Sequence, residues 1–137
     1  MGQIVGLDHI SLYAKDLEET LSFYCGKLGF TILDQESVSF GEFALIRLGN
    51  CTIEVIKPLD AEKVMWQMEA NKEPVLSHFG LKVEGLDSLY IDLKAKGIQF
   101  EPDHIIELDA PLGGLRALST KGPNGEVINF YEFARQI

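Results

Sequence analysis

The chain has 137 residues, 46% of them hydrophobic, and a formal net charge of −9. That length fits one compact domain with room for two half-sized modules, and the apolar content suffices for a core without disulfide or metal support. The acidic balance argues against nucleic acid, which needs a basic face, and no apolar run approaches the roughly 18 residues of a membrane span. No basic start followed by an apolar core and a cleavage site is present, so no signal peptide is expected. Cys25 and Cys51 do not make a disulfide framework and read as reduced thiols of a cytoplasmic protein.

Residues 4–14 read as a strand. Alternation puts His9, Ser11 and Tyr13 on one face and Ile10, Leu12 and Ala14 on the other. Asp16 is placed to cap a helix, with Glu18 and Glu19 in its first turn, where carboxylates suit the helix dipole. Leu17, Leu21, Tyr24 and Leu28 recur at helical spacing as a core stripe, and Gly29 ends the helix.

Three strands are predicted next, at about 30–39, 42–48 and 51–57, the last two joined as a hairpin at Gly49-Asn50. In the third, Thr52, Glu54 and Ile56 share a face. Residues 58–74 read as a linker bracketed by Pro58 and Pro74, in which Asp60 to Lys72 suits a short helix. Met65 and Trp66 either cover a pocket there or pack on the sheet.

The order then repeats. A strand is predicted at 75–83, with His78, Gly80 and Lys82 on one face, followed by a helix at 86–96. Strands at about 98–101 or longer, 114–120 and 126–133 complete the second module. Pro102 to Gly114 reads as a long loop of functional or mobile character. Gly122-Pro123-Asn124-Gly125 is a hairpin turn.

The repetition extends to residues. Leu7-Asp8-His9 returns as Leu76-Ser77-His78, with Leu12 and Leu81 continuing the match, so the two histidines lie 69 positions apart. Gly49 to Ile56 lines up with Asn124 to Tyr131 at an offset of 75. Two copies of this length mean one supersecondary unit used twice, since a solenoid needs three or more. Module 1 spans 4–57 and module 2 spans 75–135, within a single domain of residues 1–137.

The polar faces carry the chemistry. His9 and His78 stand at matched positions, as do Glu54 and Asn129 on the later strands. A lone strand histidine usually just hydrogen-bonds; a matched pair beside a carboxylate and an amide suits a divalent transition metal. Glu126 and Glu132 lie odd numbers of residues from Asn129, so a regular strand turns them to the other face. His104 lies in the loop, outside the repeat. Arg47, Lys82 and Arg116 are possible anion partners, although such residues on strands are usually solvated.

With Leu7-Asp8-His9-Ile10, Leu21-x-Phe23-Tyr24, Leu28-Gly29-Phe30, Leu48-Gly49-Asn50 through Glu54, and Gly122-Pro123-Asn124-Gly125, nearly the whole chain resembles the vicinal oxygen chelate superfamily. That group includes glyoxalase I, methylmalonyl-CoA epimerase, extradiol dioxygenases and the fosfomycin- and bleomycin-resistance proteins. The resemblance implies an α+β fold of two tandem βαβββ modules. Their strands would form a cupped eight-stranded mixed sheet, with helices on the outer face.

It also implies one divalent metal (nickel, zinc, manganese, cobalt or iron) on His9, Glu54, His78 and Asn129, a small-molecule substrate and a homodimer. The fourth position is normally glutamate, and Asn129 cannot accept a proton at neutral pH. The leading expectation is a lyase or isomerase like lactoylglutathione lyase, working through an enediolate, with Glu54 as both ligand and base. Two rivals stand beside it: a non-catalytic binding or drug-resistance protein, and a methylmalonyl-CoA epimerase-like isomerase. The second base of such an isomerase falls in Glu36-Ser37-Val38-Ser39, where Glu36 could serve but simple alignment points to Val38 or Ser39. Asn129 counts against iron-dependent ring cleavage.

Overall fold

A computed structural model describes residues 2–3, 9–38, 41–60, 78–109 and 113–134. The chain divides into two compact units, Met1–Lys72 and Glu73–Ile137. Each has its own four-stranded mixed sheet. Among the described residues no helix is long and apolar enough to cross a membrane.

In the first unit β1 is Ile10–Tyr13, α1 is Leu17–Leu21, β2 is Thr31–Val38, β3 is Gly41–Leu48 and β4 is Cys51–Pro58. The sheet order is β1-β4-β3-β2. β2, β3 and β4 form an antiparallel meander, and β1 lies parallel to β4. Leu48 pairs with Cys51 across the Gly49-Asn50 turn, and Gly49 takes a φ of 58°. That positive φ suits a two-residue hairpin. Gly41 is needed for another reason, because a Cβ there would collide with the Lys57 carbonyl on the neighbouring strand.

Alternation sorts the side chains as the pleat requires. Ile53 and Val55 of β4 and Ala44 and Ile46 of β3 are fully buried, while Glu54 and Ile56 are half-buried. Leu17, Thr20, Leu21 and Tyr24 contribute the helical side of this core. The Asp16 side chain accepts from the Glu19 amide at 3.0 Å, as a cap should.

One α-helix running to Gly29 is not what forms. After Leu21 the chain continues as a π-helical turn, Ser22–Lys27. There the Leu28 amide donates to the Phe23 carbonyl five residues back, at 3.2 Å. The apolar stripe is compatible with either winding, so side-chain spacing did not separate them.

In the second unit β5 is Phe79–Lys82, α2 is Leu86–Ala95, β6 is Ile106–Leu108, β7 is Leu115–Lys121 and β8 is Val127–Phe133. The order β5-β8-β7-β6 repeats that of the first unit, with β5 parallel to β8. Leu86, Leu93, Leu118, Ile128 and Phe130 form the centre of its core.

The strand expected at 98–101 is absent and lies instead at Ile106–Leu108, inside the segment read as a loop. Ile98 and Phe100 are buried all the same. Their alternation reflects packing without a ladder, and Pro102 brings no N–H to one. Residues 4–8, the segment 61–77 and residues 110–112 lie outside the described residues. The starts of both histidine strands, the short helix expected after Asp60, and Met65 and Trp66 therefore lie there wholly or in part.

α2 starts at Gly85, whose residue type brings no side-chain cap. Glu132 of β8 supplies one, its Oε2 accepting from the Gly85 and Leu86 amides at 2.8 and 3.1 Å. These bonds, with Arg116 beside them, hold the Glu132 carboxyl below the usual carboxylate range. Arg116 also grips Asp87 with both Nη atoms, at 2.7 and 2.9 Å, and lowers that carboxyl too. Arg116 is therefore a structural tie rather than a solvated side chain or an anion site.

Replacing Glu132 with alanine is expected to cost about 1–2 kcal/mol in chemical denaturation, as loss of a helix cap does. Both carboxyls have folded pKa values below their unfolded ones. Their contribution is complete above the ordinary values of about 4 and fades as pH falls through the lowered folded values. Glu132→Gln should therefore flatten the acid limb of the stability–pH profile. An unchanged acid limb would count against this role.

Candidate functional site

β1 runs alongside β4 with Ser11 opposite Glu54, and β5 runs alongside β8 with Gly80 opposite Asn129. The two pairs therefore occupy equivalent register positions. The backbone bond that extends each ladder matches as well: Ala14 N–H to the Ile56 carbonyl and Val83 N–H to the Tyr131 carbonyl, both 2.8 Å. His9 and His78 sit immediately before β1 and β5, rather than inside them as expected, and both are exposed.

In the first unit the Ser11 hydroxyl donates to Glu54 Oε1 at 3.1 Å. A carboxylate can only accept, and a hydroxyl neighbour fixes one of its oxygens. In the second unit the Asn129 Nδ2 donates to the Tyr131 hydroxyl at 2.9 Å, and that hydroxyl lies 3.4 Å from His78 Nε2. Tyr131 thus joins His78 to Asn129.

Sequence reasoning passed over Tyr131. The available signal was its place two residues after Asn129, which gives it the same face, and the small Gly80 across from Asn129. A Cβ on Gly80 would lie 3.0 Å from the Tyr131 ring. Space, not backbone conformation, asks for glycine there. In the first unit the equivalent positions hold Ser11 and Ile56.

The two units thus carry matched polar positions in matched register. Residues 6–111 match the Glyoxalase/Bleomycin resistance protein/Dioxygenase superfamily. The chain belongs to that superfamily. It is 28% identical over 98 residues to the human mitochondrial methylmalonyl-CoA epimerase, an alignment covering 68% of this chain and 54% of the epimerase. It is 29% identical over 93 residues to a bleomycin resistance protein of Staphylococcus aureus, covering 61% of this chain and 65% of that protein. The chain thus spans about half the length of the epimerase it matches. A crystal structure of a glyoxalase family protein from Enterococcus faecalis has the same fold, with a TM-score of 0.70 at 19% identity, covering 93% of this chain and 98% of that one.

Superfamily members often bind a divalent metal. Here each unit offers two donors of the right kind, an imidazole with a carboxylate and an imidazole with an amide. Two neutral nitrogens and one or two oxygens suit a borderline divalent ion. Among the described residues no three His, Cys, Asp or Glu side chains gather as a metal cluster. What accords with such an ion is the donor type in each unit taken by itself, imidazole with carboxylate or with amide.

Other groups are engaged elsewhere. Glu132 caps α2, and Glu126 Oε1 accepts from the Asn124 amide at 2.9 Å inside the hairpin turn, so neither replaces Asn129. His104 is exposed. Glu36 lies on the outermost strand, where hydrogen bonding to Asp34 and its like charge raise the carboxyl above the usual range. It lines a hollow of about 310 Å³ with Leu17, Gln35, Ser37 and Glu42, which includes none of the four candidate ligands.

Cys25 and Cys51 are half-buried, and burial raises both thiols. Less thiolate is present at neutral pH, so neither is a prepared nucleophile. Both should react more slowly with a disulfide reagent at pH 7.5 in the folded protein than in denaturant. Equal rates in the two states would contradict that assignment.

Proposed function

We propose that this protein is a divalent-metal-dependent lyase or isomerase acting on a small substrate with two neighbouring oxygens. The observation that carries the reading is the matched register of the two half-sites, with Glu54 and Asn129 at equivalent places beside the strands that follow His9 and His78. His9, Glu54, His78 and Asn129 would hold the metal. When bound, it supplies Lewis-acid polarisation of the substrate oxygens.

The chain's own part is proton movement and orientation. Glu54 is the carboxylate of the four and is proposed as the base at the carbon next to the polarised carbonyl. Ser11 donates to one of its oxygens and leaves the other for a ligand or proton. Asn129 offers an amide oxygen and does not act as a base. An acyl thioester or a hemithioacetal meets these demands. The epimerase likeness supports the first class, and the fold family supports both.

A second reading is favoured by one feature, the engagement of Asn129 and His78 by Tyr131. Under it the protein binds a small molecule without metal or turnover, as the likeness to a bleomycin resistance protein suggests.

The test is elemental mass spectrometry of untagged protein. The enzyme reading expects about one transition-metal ion per chain, lost in a His9→Ala, His78→Ala variant. With methylmalonyl-CoA or the glutathione–methylglyoxal hemithioacetal in deuterated water, Glu54→Gln should slow exchange at the substrate carbon by about 10²–10⁴-fold, the usual share of a general base. Protein that takes up no ion after dialysis against each metal would move the assignment to the binding reading.

A further inference from the structure

The register matches one more pair of residues, and both are cations. Arg47 of β3 stands opposite Thr52 of β4, two residues along from the pair Leu45 and Glu54. Lys121 of β7 stands opposite Val127 of β8, two residues along from the pair Ser119 and Asn129. Paired residues share a face, as do residues two apart on a strand. Each unit therefore carries a cation on the face of its own candidate donor, diagonal to Glu54 in one and to Asn129 in the other. Diagonal neighbours lie about 7–8 Å apart at the backbone, within reach of a long side chain.

Both cations are exposed. Lys57, Lys94, Lys96 and Arg116 each pair with a carboxylate. Among the described residues none pairs with Arg47 or Lys121. The acids nearest Arg47 in register are Glu54 and Asp34. Each has an oxygen engaged elsewhere, Glu54 Oε1 by the Ser11 hydroxyl and Asp34 Oδ1 by the Gln35 amide.

Arg47 is also held in place. Its Nε donates to the Thr52 hydroxyl at 3.0 Å, and Thr52 is 8% exposed. With Nε committed, the guanidinium keeps its Nη1–Nη2 edge, whose two N–H groups match the two oxygens of a carboxylate. A fork fixed in advance loses less freedom when a ligand arrives.

We propose that Arg47 is a carboxylate-recognition residue on the polar face of the first unit, positioned by Thr52. The ligand is then a small acid whose carboxylate takes the open edge of the guanidinium. One guanidinium neutralises one carboxylate. A phosphate, with a charge of about −1.5 to −2, would keep an excess facing Glu54 and Asp34. Lys121 brings the same sign of charge to the second unit as a point charge, without the planar fork. That this acid is the substrate, with a carboxylate besides its two neighbouring oxygens, rests on the reading above; the anion site does not.

Succinate is the probe, and the sample is metal-free protein labelled with nitrogen-15 arginine. The Arg47→Gln variant identifies the Arg47 signal among those of Arg47, Arg116 and Arg135. Succinate is expected to shift the Arg47 Nε–H resonance saturably, while Arg116, tied to Asp87 and Glu132, stays still. Dimethyl succinate should leave Arg47 unmoved, and phosphate at equal ionic strength should bind more weakly. Backbone amide shifts in β3 and β4 should report succinate affinity reduced about tenfold or more in Arg47→Gln. Thr52→Val keeps the shape and strand preference of threonine and should weaken succinate several-fold.

An Arg47 signal that succinate leaves in place, or that phosphate or chloride moves as readily, would overturn the proposal. So would succinate affinity unchanged in Thr52→Val, since the hydroxyl would then be only a cross-strand tie. Succinate binding in protein that takes up no transition metal upholds the anion site and counts against the metal reading instead.

Discussion

The parallel pairing of the first and last strands in each module is the constraint on which the rest depends. It brings Ser11 beside Glu54 and Gly80 beside Asn129, groups more than forty residues apart in the chain. The register is held by the core and not by the polar face. Ile53 and Val55 in one module, and Ile128 and Phe130 in the other, are at most 2% exposed. Burying such a side chain contributes about 1.5–3 kcal/mol. A slip of one residue would expose both members of each pair and turn Glu54 or Asn129 inward. The hydroxyl bonds to Glu54 and Asn129 contribute about 0.5–3 kcal/mol each and cannot compete. The donors stand where they do because their apolar neighbours face the other way.

The helix-bearing faces of the two modules show that the repeat preserves layout more than atoms. α1 is capped by Asp16, the residue just before it, through a bond made within one turn. α2 begins at a glycine and takes its cap from Glu132, 46 residues away on the strand beneath. The pleat makes that possible, since Glu132 points opposite to Asn129 and toward the helix side. One strand thus serves both surfaces, with Asn129 and Tyr131 on the polar face and Glu132 on the helix.

Much of this was legible in the sequence because the same pattern appears twice. The offsets of 69 and 75 fixed which strands correspond, and alternation fixed which side chains share a face. What escaped were features without a period. The π turn after Leu21 has the same apolar spacing as an α-helix. The strand expected at 98–101 was an alternation of buried residues without a ladder. Glu132 as a cap on Leu86 and Tyr131 as a neighbour of His78 join residues 46 and 53 positions apart, which no local pattern announces. For Tyr131 the trace was comparative: Gly80 and Tyr131 in one module where the other has Ser11 and Ile56.

That exchange bears on why an amide can stand where a carboxylate is usual. A carboxylate needs a donor to settle it, and Ser11 donates to Glu54. An amide has a donor and an acceptor side, and an unfixed amide can present either. Tyr131 removes the choice by occupying the N–H side. The two pairs then differ in charge, a carboxylate with a histidine in one module and an amide with a histidine in the other. A dication held by one carboxylate and three neutral groups keeps one positive charge uncompensated, where two carboxylates would cancel it. Such a site holds its ion less tightly and polarises a substrate oxygen more strongly. Under the proposed metal reading, the proton that an amide cannot accept would be carried by Glu54, and the first module would supply the base.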